Sequence, residues 1–219
     1  MKVVLRETND GSHTLYLPDL NENYHSHHGA IQEAQHVFID HGLIPLLHSY
    51  RQLKILEVGW GTGLNCLLTC LSSVNCKVKY TGIEAFPLDI SIHRQLNYTH
   101  YLQNSFELYE QLILASWGKE TIVNENFSLT KTNIKIQEWE SSDQFDLIYY
   151  DAFGPRAQED MWRKETLEKV ICGLKKDGIF VTYCAKGQLK RDLKELGCFV
   201  ESLPGPPGKR EMTSATKRN

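Results

Sequence analysis

Hydrophobic and polar positions along the chain alternate between a period of two and a period near 3.6. Val3 to Leu17 alternates around Asn9-Asp10-Gly11-Ser12, a run of turn formers, which predicts an opening β-hairpin. From Gly29 to Tyr50 the apolar positions Ala30, Ala34, Val37, Phe38 and Ile39 follow a helical stripe, which Gly42 and Pro45 should break or kink. Leu53 to Val58 reads as a buried strand, followed by a helix over Leu64 to Leu71 and a second strand over 77–84. Helices are expected near 89–98 and 104–116, and the alternating segment from Phe127 to Trp139 suits one or two strands. Asp146 to Asp151 is the next buried strand, Asp160 to Leu174 a helix, Gly178 to Ala185 an apolar strand, and Gln188 to Leu196 an amphipathic helix closed by Gly197. Phe199 to Leu203 and Glu211 to Lys217 form two short strands around the stiff basic loop Pro204-Gly205-Pro206-Pro207-Gly208-Lys209-Arg210.

Strands alternating with helices imply an α/β fold with a doubly wound, mostly parallel sheet, to which the last two strands add an antiparallel edge. At 219 residues the chain suits one structural domain. Residues 1–50 read as a hairpin and helix extension packed on a core of residues 51–219.

Composition narrows the class further. With 41% hydrophobic and 23% charged residues it is that of an ordinary globular protein. No run approaches the roughly 18 apolar residues of a membrane span, and the start lacks a signal-like apolar block, so a cytoplasmic location is expected. The six cysteines form no Cys-x-x-Cys pair and mostly sit in apolar runs, which argues for reduced thiols. His25, His27 and His28 cluster, but no cysteine or regularly spaced acid completes a metal site, and none is expected. The net charge of −3 is unevenly spread: residues 1–155 hold 10 Lys and Arg against 18 Asp and Glu, whereas residues 156–219 hold 14 against 9. A basic C-terminal part can present an electropositive face to phosphates, although Lys164, Lys169, Lys175 and Lys176 also fit the solvated face of a helix.

The most chemical stretch is Leu53-Lys54-Ile55-Leu56-Glu57-Val58-Gly59-Trp60-Gly61-Thr62-Gly63-Leu64-Asn65, a strand that runs into a glycine-rich turn. Such a turn lets backbone approach a ligand, and the following helix offers free N–H groups. A dinucleotide fingerprint requires Gly-x-Gly-x-x-Gly; here Gly59, Gly61 and Gly63 give Gly-x-Gly-x-Gly, which points away from NAD. Glu84 ends the second strand, where a carboxylate can accept both hydroxyls of a ribose. An adenosine ligand without a pyrophosphate, such as S-adenosylmethionine, fits these features. Glu57 is a candidate for its cationic end, with a structural carboxylate as the alternative. Ligands of open α/β sheets lie beyond the C-terminal strand ends, which also singles out Asp151, followed by Ala152-Phe153-Gly154-Pro155. A carboxylate there can orient an amine or take its proton, or simply cap a helix.

These residues resemble a known family, the tRNA wobble-uridine methyltransferases that complete 5-methylaminomethyl-2-thiouridine. The resemblance runs nearly end to end: Asp10-Gly11-Ser12 with Thr14-Leu15-Tyr16, Asn21-Glu22-Asn23-Tyr24-His25-Ser26, Glu33 and His36-Val37-Phe38; the cofactor motif Glu57 to Asn65, with Trp60 where phenylalanine is familiar; Asp151-Ala152-Phe153-Gly154-Pro155 with Met161-Trp162; and Gly205-Pro206-Pro207-Gly208-Lys209-Arg210-Glu211-Met212. Gln158-Glu159-Asp160 lacks the proline expected before the Met-Trp pair.

The resemblance implies a class I, Rossmann-like methyltransferase fold, S-adenosylmethionine as donor, and the aminomethyl group of a wobble uridine in tRNA as acceptor. Glu57, Gly59, Gly61, Gly63, Asn65 and Glu84 would hold the cofactor, with Glu138, at the end of a strand beginning around Ile134, close to the adenine. Asp151, Phe153 and Pro155 would form the acceptor pocket, Tyr24 and Ser26 would close over it, and Lys209 and Arg210 would meet RNA phosphate. No second dinucleotide fingerprint is present, so a stand-alone methyltransferase supplied by other tRNA-modifying enzymes is expected. The alternatives are an aminopropyltransferase resembling spermidine synthase, and a non-catalytic RNA-binding protein that retains a cofactor pocket.

Overall fold

A computed structural model describes residues 2–140 and 144–218. Eleven strands are present among them: β1 (Val4–Glu7), β2 (His13–Leu17), β3 (Glu22–Asn23), β4 (Gln52–Val58), β5 (Lys77–Ile83), β6 (Glu120–Asn124), β7 (Phe127–Thr132), β8 (Phe145–Tyr150), β9 (Leu174–Thr182), β10 (Cys198–Pro204) and β11 (Glu211–Lys217). The first three form a small sheet, and the rest one eight-stranded sheet in the order β10-β11-β9-β8-β4-β5-β7-β6. Its five central strands are parallel and the flanking pairs antiparallel, the doubly wound arrangement expected.

Strands β4 and β8 are buried on both faces because helices cover the sheet on both sides. One apolar cluster includes Val37, Phe38 and Leu43 of the N-terminal extension with Leu64, Leu67 and Leu112. The other includes Leu167, Val170 and Leu193 against Ile148, Tyr150 and Phe180. Strand order reverses between β4 and β8, and the register Val58↔Tyr150 brings their C-terminal ends level. Gly59 and Asp151 therefore leave the sheet side by side, tied by Asp151 N–H donating to Val58 C=O at 2.9 Å.

The hairpin forms as expected, with register Val4↔Tyr16 to Glu7↔His13. Its turn also starts the next helix: Thr8 and Ser12 hydroxyls accept from Ala30 N–H, and the Asp10 carboxylate accepts from Gln32 N–H at 3.1 Å. That helix does not break at Gly42. It runs as an α-turn segment Ala30–Ala34, a π-helical stretch Gln35–Leu43 and a last turn Ile44–Leu47, and Gly42 lets it lie on the sheet: a Cβ there would stand 3.1 Å from Val181 and 3.2 Å from Tyr149. Pro45 enters where the π-helical stretch gives way to the last turn.

Three expectations need correction. The region near 89–98 holds only short helices, Ile90–His93 and Tyr98–Tyr101. Phe127 to Trp139 is a strand only to Thr132; Ile134 to Trp139 turns away from the sheet, with Ile136 and Trp139 packed against β8. Glu138 is thus exposed on a turn and not at a strand end. An unexpected strand, β6, pairs with β7 through a tight Glu125-Asn126 connection.

Candidate active site

Beyond the C-terminal ends of β4, β5 and β8 lies a cavity of about 920 Å³. Gly59, Gly61, Asn65, Glu84, Glu138, Asp151, Phe153 and Tyr24 line it. Glu57, Gly63, Pro155, Ser26, Lys209 and Arg210 are not among its lining residues.

The glycine turn is shaped by close approach. Gly59, Gly61 and Gly63 all have positive φ, of 90°, 49° and 77°. A Cβ on Gly59 would meet the Asp151 carbonyl oxygen at 2.5 Å, and one on Gly63 the Trp60 ring at 2.7 Å. Trp60 is buried beneath the turn, between the turn itself and β5, where Gly82 makes room for it. Under Trp60 lies the buried Lys131, whose ammonium stands 4.6 Å from its ring and 4.9 Å from that of Trp117 and donates to the carbonyls of Leu112 and Ile113. Burial lowers this amine to about 8.

A chain of polar groups crosses the floor. Glu57 is fully buried and accepts from Tyr80 O–H and Asn65 Nδ2, both at 2.8 Å. Loss of hydration pushes its carboxyl well above the ordinary range. Asn65 Nδ2 also donates to Asp151 Oδ2 at 2.9 Å, so one amide bridges two carboxyl groups. Its own Oδ1 is buried with no partner. Removal from water raises Asp151 to about 7, against the opposing bond from Asn65; nearby Glu33 raises it further and Lys209 lowers it. Glu84 accepts from Gly61 N–H and Phe86 N–H, each at 2.9 Å, which fixes its carboxylate at the cavity edge.

The N-terminal extension supplies the other wall. Tyr24 lies 3.2 Å from where a Gly61 Cβ would be and packs edge-on to Phe153, with centroids 5.0 Å apart. His25, which the sequence offered in a histidine cluster and in the Asn21 to Ser26 segment but not as a site residue, is buried between Thr14 and Thr62 hydroxyls and lines the cavity. Desolvation lowers it to about 4, so it is neutral. Ser26 is half-buried and engaged elsewhere: its N–H donates to Glu33 Oε2 at 2.7 Å and its hydroxyl accepts from His28 N–H. The segment after Asp151 is held by Trp162 Nε1 donating to Phe153 C=O at 2.7 Å and by Tyr150 O–H donating to Met161 C=O. Pro155 sits on the turn these bonds support, outside the cavity lining. Among the described residues no His, Cys, Asp and Glu cluster suits a metal, and no helix is long and apolar enough to cross a membrane.

Residues 98–218 match the family model described as S-adenosyl-L-methionine-dependent methyltransferase. The chain belongs to that family. It is similar to the tRNA 5-methylaminomethyl-2-thiouridine biosynthesis bifunctional protein MnmC of Hydrogenovibrio crunogenus, at 29% identity over 86% of this chain and 30% of the relative, and to that of Cupriavidus metallidurans, at 29% identity over 95% of this chain and 33% of the relative. The chain thus spans about a third of the length of these curated relatives. MnmC2 from Aquifex aeolicus shares the fold, with a TM-score of 0.82, 24% identity, and coverage of all of this chain and 71% of that one. Spermidine synthase from Thermotoga maritima is more distant, with a TM-score of 0.55 and 15% identity.

S-adenosylmethionine is the cofactor of this methyltransferase, and the site fits it. The orphaned Asn65 Oδ1 offers an acceptor to an ammonium, and Glu84 keeps lone pairs for a ribose diol after serving two backbone donors. Glu57 would act through Asn65, because both of its oxygens are already engaged away from the cavity.

Proposed function

We propose that this methyltransferase N-methylates the aminomethyl group of a 5-aminomethyl-uridine or its 2-thio form at the tRNA wobble position. The observation that carries this reading is the placement of Asp151 in the lining of the cofactor cavity, oriented by Asn65 at 2.9 Å, with burial raising its carboxyl to about 7. Bound S-adenosylmethionine supplies an electrophilic methyl group on a sulfonium. An attacking amine must present a free lone pair, and Asp151 is suited to accept its proton because the carboxyl's affinity for a proton is matched to neutral pH. The Asn65 bond keeps one oxygen facing the amide and leaves the other for the acceptor nitrogen. Tyr24 and Phe153 form a perpendicular aromatic pair beside it, a surface on which an unstacked base can pack. Pro155 supports the turn that carries Phe153. Glu57, Gly59, Gly61, Gly63, Asn65 and Glu84 serve the cofactor, with Glu138 at the outer rim. Arg210, exposed on the C-terminal loop, is placed for phosphate.

The test is incubation with labelled S-adenosylmethionine and tRNA from cells lacking the final methylation, followed by nucleoside identification. Label in 5-methylaminomethyl-2-thiouridine or its oxygen counterpart supports the reading. Cofactor binding without label in tRNA refutes it, and aminopropyl transfer from decarboxylated S-adenosylmethionine to a small diamine, assayed separately, would favour the aminopropyltransferase-like alternative.

A further inference from the structure

The C-terminal loop does not stand free beside the cavity. Lys209 Nζ donates to Glu33 Oε1 at 2.6 Å and lies 3.8 Å from the Tyr183 ring centroid. Glu33 is buried in the N-terminal extension, and its second oxygen accepts from Ser26 N–H, two residues after Tyr24. Two further contacts fasten the same loop: His36 Nε2 bonds Pro204 C=O at 2.8 Å, and the His28 ring lies so close to Gly208 that any Cβ would collide with it. Tyr183 completes the link by donating to Ala152 C=O at 2.9 Å, next to Asp151.

We propose that Glu33 and Lys209 are positioning residues of the acceptor pocket, an ion pair that joins the extension to the C-terminal loop and balances the charge around Asp151. The charged and titratable groups coupled electrostatically to this carboxyl are Glu57 on β4, joined to it through Asn65, Glu33 on the extension helix, Lys209 on the loop, and Tyr183 after β9, which bonds the neighbouring Ala152 carbonyl. Of these, Lys209 alone is cationic, and it is neutralised in turn by Glu33. Removing either partner leaves the other's charge uncompensated, so the two removals should move the Asp151 proton in opposite directions: loss of Lys209 strengthens its binding and loss of Glu33 weakens it. Lys209 on this reading shapes the pocket from behind, while Arg210 beside it remains the outward cation.

This inference rests on Asp151 as proton acceptor, so its test reads the Asp151 proton without any substrate. The difference in urea unfolding free energy between a protein carrying Asp151 and its Asp151→Asn version, followed against pH, traces the carboxyl's ionisation. Measured in the wild-type, Lys209→Met, Glu33→Gln and double-variant backgrounds, the expected result is a midpoint raised in Lys209→Met, lowered in Glu33→Gln, each by a roughly tenfold change in proton affinity, and near wild type in the double variant. Lys209→Arg should keep the wild-type midpoint. If Lys209→Met does not fold, Glu33→Gln and the double variant carry the test, since both leave no buried carboxylate unpaired. Midpoints that stay within a few tenths of a pH unit in all backgrounds, or move in the same direction in both single variants, overturn the proposal. The pH profile of methyl transfer should follow the same order; a failure there with the unfolding midpoints as expected points to the proposed reaction and not to the ion pair.

Discussion

Asp151→Asn should make the protein more stable while slowing its chemistry, and the gain should depend on pH. The native site lifts this carboxyl from 3.8 to about 7. At about 1.4 kcal/mol per pH unit, holding it ionised in the fold costs about 4 kcal/mol once both states are deprotonated. The sign follows from which state holds the proton. Between the unfolded and folded values the native protein binds more protons, so stability falls as pH rises through that window and levels off above about 7. Asparagine keeps an acceptor for Asn65 Nδ2 without a charge to desolvate. Glu57 titrates in both proteins and cancels to first order in their difference. The gap between variant and wild type should therefore widen by about 2–3 kcal/mol from about pH 5 to about pH 8. Urea unfolding of the ligand-free proteins across that range is the assay. A gap that stays flat, or narrows with rising pH, would show that the carboxyl is not held out of water and would remove the physical basis for calling it a base.

In the wild-type enzyme the methylation rate should rise with pH through about 7 as Asp151 loses its proton, whereas Asp151→Asn should retain cofactor affinity and lose on the order of a hundredfold or more in rate, as steady-state kinetics and calorimetry would check. Arg210→Ala should weaken tRNA binding and reduce the slope of log affinity against log salt by about one, read from filter binding at several ionic strengths; an unchanged slope takes Arg210 out of the interface. Gly82→Ala would place a Cβ 2.3 Å from Trp60 Cδ1, so it should cost about 1–3 kcal/mol in unfolding and weaken cofactor binding by displacing the turn above Trp60. A variant with wild-type stability would show that Trp60 can move freely.

Most of the sheet was legible because its strands carry their own signal. Leu53 to Val58 and Asp146 to Tyr150 are apolar runs bounded by turn residues, and the acids that follow or end them mark the ligand-facing edge without any long-range information. β6 was missed because it is an edge strand whose Ile122 is 70% exposed, so hydrophobic pattern says little about it. Ile134 and Ile136 misled for the opposite reason: they alternate like a strand, yet each reaches the core from an irregular segment, one packing point at a time. The same limit applies within the site. Glu57 and Asn65 lie in one motif, and their bond could be guessed from proximity. The role of Lys209 could not, because its partner is 176 positions away and a basic loop looks alike in sequence whether it faces phosphate or a buried carboxylate. Gly42 gave a helix-breaking signal, but only the packed sheet reveals that its missing side chain serves contact.

The separation between Glu33 and Lys209 has a kinetic meaning. The cofactor cradle is assembled from β4, its glycine turn, β5 and the residue that follows β8, and its bond from Asn65 to Asp151 spans 86 positions. Closing the acceptor side joins residues 176 positions apart and must wait for β11 to pair with β9 and β10. Because loop-closure entropy is paid before such contacts repay it, a cradle competent for cofactor should form first and the amine pocket last. A folding chain would then pass through a state that grips its donor before it can select an acceptor.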